Sequence, residues 1–125
     1  MEIEKRTANG LDVAVVRSSD ESVLMADSQS ALDLAMTVQY ETGTNRLVLS
    51  KEAIAEDFFR LSTGLAGEIL QKFINYQIKL AIVGDFSGYT SKPLRDFIRE
   101  CNRGRNFFFT ATEDEAMMFL TRLKQ

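Results

Sequence analysis

Two short stretches hold the residue types that could do chemistry. The first is Ser62-Thr63-Gly64, two hydroxyls ahead of a glycine. The second is Asp85, which follows the apolar run Leu80-Ala81-Ile82-Val83 and Gly84, with Phe86, Ser87 and Tyr89 close behind. A hydroxyl at the start of a helix has two uses. It accepts a backbone N–H as a cap, worth about 1 kcal/mol. Alternatively it accepts a phosphoryl group, whose charge of about −1.5 to −2 is well placed near orphan N–H groups and the positive end of the helix dipole. An aspartate at a strand end is commonly a turn carboxylate. With companion carboxylates and a lysine it can instead bind magnesium or take a phosphoryl group, and Glu52, Asp57 and Lys92 are the candidate companions.

Other chemistries are excluded by composition. The 125 residues contain no histidine, which removes imidazole from acid–base, triad and most zinc roles. The one cysteine, Cys101, precludes an internal disulfide and fits a reducing cytoplasm. It falls on the apolar stripe of its helix, where a small buried hydrophobe is expected rather than a nucleophile. Gly64, Gly67 and Gly84 make no phosphate loop, because no Gly-Lys-Ser/Thr follows, and Gly67 reads as a point of close helix-to-sheet packing. No metal site, no cofactor and no enzyme activity are expected. A net charge of −3 gives no global attraction to nucleic acid or an anionic membrane. No apolar run approaches the roughly 18 residues that a spanning helix needs, and MEIEKRTANG lacks a secretory signal's apolar stretch.

The elements that must position these residues read clearly from periodicity. Ile3–Thr7 and Leu11–Arg17 flank Asn9-Gly10, the pair suited to the two positive-φ positions of a type I′ hairpin turn. A polar link from Asp20 to Asp27 leads to a helix capped by Asp27 or Ser28, with Ala31, Leu34, Ala35 and Val38 inward and Gly43 at its end. Arg46–Ser50 is a strand, and Lys51–Thr63 is a long connection with room for a helical turn. The next helix turns Leu65, Ile69, Phe73 and Tyr76 inward. It leads to the Leu80–Val83 strand, which is apolar on both faces and therefore central in a parallel sheet. Ser91 caps a third helix, with Leu94, Phe97, Ile98 and Cys101 on one stripe and Gly104 at its end. Asn106–Thr110 is the last strand. Thr112 and Glu115 cap a final helix that turns Ala116, Met117, Leu120 and Leu123 inward.

The expected class is α/β, one domain over residues 1–125, in the order ββαβαβαβα with a mixed sheet. Loops leaving the carboxyl ends of parallel strands meet along one edge, where ligands and partners bind. That edge collects Lys51–Gly64, Asp85–Ser91 and Thr110–Thr112. Its candidate partner- or ligand-binding residues are Asp57, Phe58, Gly64, Asp85, Phe86, Ser87 and Tyr89, with Thr63 and Ser62 as candidate phosphoacceptors. Two functions compete. One is protein docking at this edge; the other is small-molecule binding, with Phe58, Phe59, Phe86 and Tyr89 as pocket walls and Asp85 as the polar anchor. Arg95, Arg99, Arg103 and Arg105 lie on or just after the third helix, and the first three share a face with Asp96 and Glu100 interspersed; a solvated, salt-bridged surface is the expected reading, and a patch for an acidic partner or phosphate is the alternative. No aromatic stacking motif accompanies those arginines, so nucleic acid is not an expected partner.

Most of the chain, above all TGLAGEILQKF, KLAIVGDFS, SKPLRDFIRECNRGR and EDEA, resembles a bacterial family catalogued as a domain of unknown function. The element order is also similar to the STAS domain, the fold of anti-sigma-factor antagonists and of sulfate-transporter tails. In that family a strand leads into Asp-Ser-Ser/Thr-Gly and then a helix, and a partner kinase, itself an anti-sigma factor, phosphorylates the hydroxyl just before the glycine. Phosphorylation releases the domain from the kinase. The resemblance implies Thr63 as acceptor, Ser62 as its neighbour and Gly64 as the helix-opening glycine. Leu61 stands where the STAS pattern has aspartate, and the helix opens TGLAGE, one residue longer than the usual Gly-Leu-Gly spacing. The implied protein is a small cytoplasmic regulatory module with a kinase-like or other protein partner, and with room for a homodimer.

Overall fold

A computed structural model describes residues 1–18 and 22–122. The hairpin comes first: β1 (Glu2–Ala8) and β2 (Leu11–Arg17) pair antiparallel across Asn9 and Gly10. Both turn residues have positive φ, 53° and 77°, as a type I′ turn requires. The chain continues through α1 (Ser28–Thr42), β3 (Arg46–Ser50), α2 (Leu65–Asn75), β4 (Lys79–Val83), α3 (Lys92–Arg103), β5 (Phe107–Thr110) and α4 (Glu113–Thr121). The sheet order is β1-β2-β3-β4-β5, with β2 through β5 all parallel. The expected order and mixed sheet are what the structure has.

Strand alternation divides the core into two layers. Ala14, Val16, Leu47, Leu49, Leu80, Ile82, Phe107 and Phe109 face the inner sides of α1, α2 and α3. Val13, Val15, Val48, Ala81 and Phe108 face Ala116, Met117 and Leu120 of α4. Three crossovers of one hand between sequential strands place three helices on the same face. The last helix has no further strand to reach, so it folds back beneath the other face. This burial of both faces explains why β4 has no polar position inside the run from Leu80 to Ile82.

Local signals set most of the ends. Asp27 caps α1 by accepting from the Ser30 backbone N–H, Ser30 returns the bond to the Asp27 backbone, and Gly43 closes the helix with φ 77°. Thr112 accepts from the Glu115 N–H at the start of α4. Two expectations need correction. Tyr76 is about half exposed, because α2 ends at Asn75 and the backbone has already left helical geometry. Gly67 is exposed, and a methyl group there would meet nothing within 4 Å, so it is not a packing glycine. Gly104 ends α3 as expected, in extended backbone with its N–H donating to the Cys101 carbonyl. Leu123 and Asp20 lie outside the described residues.

Candidate functional site

Ser50, Val83 and Thr110 stand in register at the carboxyl ends of β3, β4 and β5, and the chain leaving them builds the site. After Ser50 it makes three short 3-10 turns, Lys51–Ala53, Glu56–Phe59 and Leu61–Thr63, instead of the single helical turn expected. The first turn is pinned from the side. The Leu24 and Met25 N–H groups donate to the Ala53 carbonyl at 2.8 and 3.0 Å, and the Ala55 N–H donates to the Met25 carbonyl at 2.9 Å. Ala53, Ile54, Phe58 and Phe59 turn inward, so a segment with little regular structure is held by its own apolar side chains.

The hydroxyl pair divides its work. Thr63 Oγ1 lies 2.8 Å from the Asp57 carbonyl and 2.9 Å from the Arg60 carbonyl, and it accepts from the Leu65 N–H at 3.2 Å. It therefore ties the second turn to the start of α2. Gly64 occupies the N-cap position with φ 77°, a left-handed conformation that a side chain would strain. Thr63 thus supplies its cap from one residue outside the helix. Ser62 is exposed, and its hydroxyl has no hydrogen-bond partner among the described residues.

The loop after β4 rests against this segment. A Cβ on Gly84 would lie 2.7 Å from the Lys51 Cβ, so the two chain exits pass within contact distance only because residue 84 is glycine. Asp85 Oδ1 accepts from both the Ser87 N–H (2.9 Å) and the Ser87 hydroxyl (2.6 Å). Those bonds, aided by the nearby Lys51 charge, hold its carboxyl below the ordinary aspartate value. Phe59 bridges the loops: its ring is 6.1 Å from Phe86 and 5.5 Å from Tyr89, while Phe58 meets it edge-on at 5.1 Å. Phe86 continues the chain of rings to Phe109. The Tyr89 hydroxyl donates to Glu56 Oε2 at 2.7 Å, and the Lys51 ammonium lies 5.1 Å above the Tyr89 ring. Burial, then the Glu56 hydrogen bond, pushes the Tyr89 phenol well above its usual range.

Between the two segments lies a cleft of about 610 Å³. Phe59, Leu61 and Leu94 contribute apolar surface, and Glu56, Arg60, Ser62, Thr90 and Ser91 contribute polar groups. The two expected loops do share one rim. Ser62 and Tyr89 line the cleft; Asp57, Phe58, Thr63, Gly64, Asp85, Phe86 and Ser87 do not. Phe58 is buried at 1% exposure, and the rings of Phe59, Phe86 and Tyr89 pack on one another. They fill the space between the loops, and Asp85 is turned to solvent. Lys92 pairs with Asp96 at 2.7 Å, away from Asp85. Among the described residues no three Cys, Asp or Glu side chains are grouped to hold a metal ion.

Arg60 and Pro93 line the cleft without having been singled out as site residues in the sequence; only their position after a strand end or at a helix start hinted at it. On α3, Arg99 meets Asp96 at 3.4 Å and Arg103 meets Glu100 at 3.8 Å, the expected salt-bridged face. Cys101 is half-buried against the core, and its thiol is pushed up to about 11, first by burial and then by Glu100. No helix is long and apolar enough to cross a membrane among the described residues.

The chain belongs to a family described as a domain of unknown function (DUF4180), whose model matches residues 8–120. No curated protein and no solved structure matches it.

Proposed function

We propose that this protein is a small, non-enzymatic regulatory module of STAS-like type, working in the bacterial cytoplasm and docking a protein partner at the carboxyl-end cleft. The observation that carries the reading is the cleft between residues 56–62 and 88–94, with the free Ser62 hydroxyl on its wall. Its mixed lining suits a short protein segment, which can bury apolar side chains against Leu61 and Leu94 and satisfy Arg60 and Glu56 at the rim. A phosphate on Ser62 would place a dianion on that wall without breaking any bond of the fold. A phosphate on Thr63 would displace the hydroxyl from Asp57, Arg60 and Leu65. Ser62 is therefore the preferred gate, although the family resemblance by itself points to Thr63. Small-molecule binding beside Asp85 is disfavoured, since the rings meant as pocket walls are packed together.

Phosphosite mapping of the protein purified from its own cells, together with partner capture by Ser62→Asp, tests this. Phosphate on Ser62 is expected, and the substitution should weaken capture at least about tenfold while leaving the melting temperature within about 2 °C. Unmodified Ser62, with capture indifferent to Ser62→Asp, would sink the gate.

A further inference from the structure

A second cleft, of about 510 Å³, lies at the other end of the sheet, where the parallel strands begin. Arg46, Lys79, Arg103, Arg105 and Arg122 line it, and among the described residues no carboxylate does. Five of the chain's fifteen cations thus meet in one place in a protein of net charge −3. They come from separate segments: Arg46 opens β3, Lys79 opens β4, Arg103 ends α3, Arg105 precedes β5 and Arg122 follows α4. Arg46 and Lys79 are partners in the β3–β4 register, and like charges directly opposite one another destabilise a sheet. A structural role alone would favour a carboxylate at one of these positions.

Arg103 pairs with Glu100 at 3.8 Å, whereas the partners that hold Arg46, Lys79 and Arg122 are neutral. Arg46 Nε donates to the Leu120 carbonyl at 3.1 Å, the Lys79 ammonium to the Arg105 carbonyl at 2.8 Å and the Asn106 side chain at 3.2 Å, and Arg122 to the Gly104 carbonyl at 3.1 Å. Arg46, Lys79, Arg105 and Arg122 have no ion pair among the described residues. Carbonyls hold Arg46, Lys79 and Arg122 in place but leave their charges unneutralised, and the Arg105 guanidinium has no hydrogen bond among the described residues. Lys79 registers this: its pKa is lowered by burial and then by Arg46 and Arg105. Phe108 and Phe119 stack at 5.0 Å along the wall, with the Arg122 guanidinium 5.6 and 5.1 Å from their centres.

We propose that this amino-end cleft binds a small organic anion bearing an oligophosphate group, with Arg46, Lys79, Arg103 and Arg105 clamping the phosphates. A chain of two or three phosphates matches cations spread over several strands better than a single carboxylate does. The volume falls within the range of about 300–1,000 Å³ typical of small-ligand sites. The proposal is independent of the carboxyl-end cleft.

The test is calorimetric titration of the full chain at low salt with inorganic tripolyphosphate and with ATP. Both should bind, and saturating probe should raise the melting temperature. Arg103→Ala/Arg105→Ala changes two exposed side chains and should weaken tripolyphosphate at least about tenfold with circular dichroism unchanged. Lys79→Gln should weaken it about fivefold. Lys92→Ala, at the opposite end, should bind as the unaltered protein does. Absent binding, tripolyphosphate binding that survives the double substitution, or an equal loss in Lys92→Ala overturns the proposal. So does ATP binding without tripolyphosphate binding, which would assign the cleft to the base.

Discussion

The two ends of the sheet are made from the same parallel strands and treat their polar groups in opposite ways. At the carboxyl end the groups that shape and join the two loops are answered within the fold: Asp85 by Ser87, Glu56 by Tyr89, Thr63 by two carbonyls and an N–H. The aromatic side chains there fill space, and on the cleft wall the Ser62 and Thr90 hydroxyls have no hydrogen-bond partner among the described residues. At the amino end, cations are anchored to neutral carbonyls and their charge is left standing. The first arrangement stabilises the molecule; the second works against it, and the two-layered core must offset it. A reader looking for function at the end richest in chemical residue types would miss the end richest in uncompensated charge.

If the rings hold the carboxyl end together, Phe59→Ala should be the most damaging change, costing about 3–5 kcal/mol in denaturant unfolding. A loss below about 1 kcal/mol would mean that the 56–62 turns and the 86–89 loop are held by something else. Gly84→Ala should cost about 1–3 kcal/mol, because the new methyl must displace the base of the Lys51 side chain rather than its mobile tip. The hydroxyl pair sharpens the contrast inside one end. Thr63→Ala should lose about 1 kcal/mol, while Ser62→Ala should stay within about 0.5 kcal/mol. Equal losses would erase the division of labour drawn between them.

The smallest effect belongs to the amino end and is read through pH. The Lys79 ammonium has a folded pKa below its ordinary 10.5, so the unfolded chain holds that proton more firmly. Its contribution to stability is therefore complete above 10.5 and is lost as pH falls through the lowered folded value. Stability measured from about pH 8 to 11 should climb more in the unaltered protein than in Lys79→Met. Superimposable curves would show that the Lys79 charge is already compensated.

Much of the architecture could be read from the chain, because it is written in short-range patterns. Asn9-Gly10 fixed a turn by the φ angles it tolerates, Asp27 and Thr112 fixed helix starts by their side-chain oxygens, and the Leu80–Val83 run declared a strand buried on both sides. The meeting of the 56–62 and 85–91 segments followed from the same logic, since parallel strands send their exits to one edge. What the chain could not show was which side chains at that edge are spent on the fold. Thr63 and Ser62 are adjacent and chemically alike, and only the path of the 3-10 turns puts carbonyls beneath one and solvent beside the other. The amino-end cleft as a whole was hidden for a different reason. Arg103 and Arg105 belong to an arginine group that the sequence displays, but Arg46, Lys79 and Arg122 stand far from it along the chain and carry no local signal. Strand register and the return of α4 beneath the sheet bring them onto one wall, and electrostatic repulsion depends on distance in space, which the order of residues does not contain.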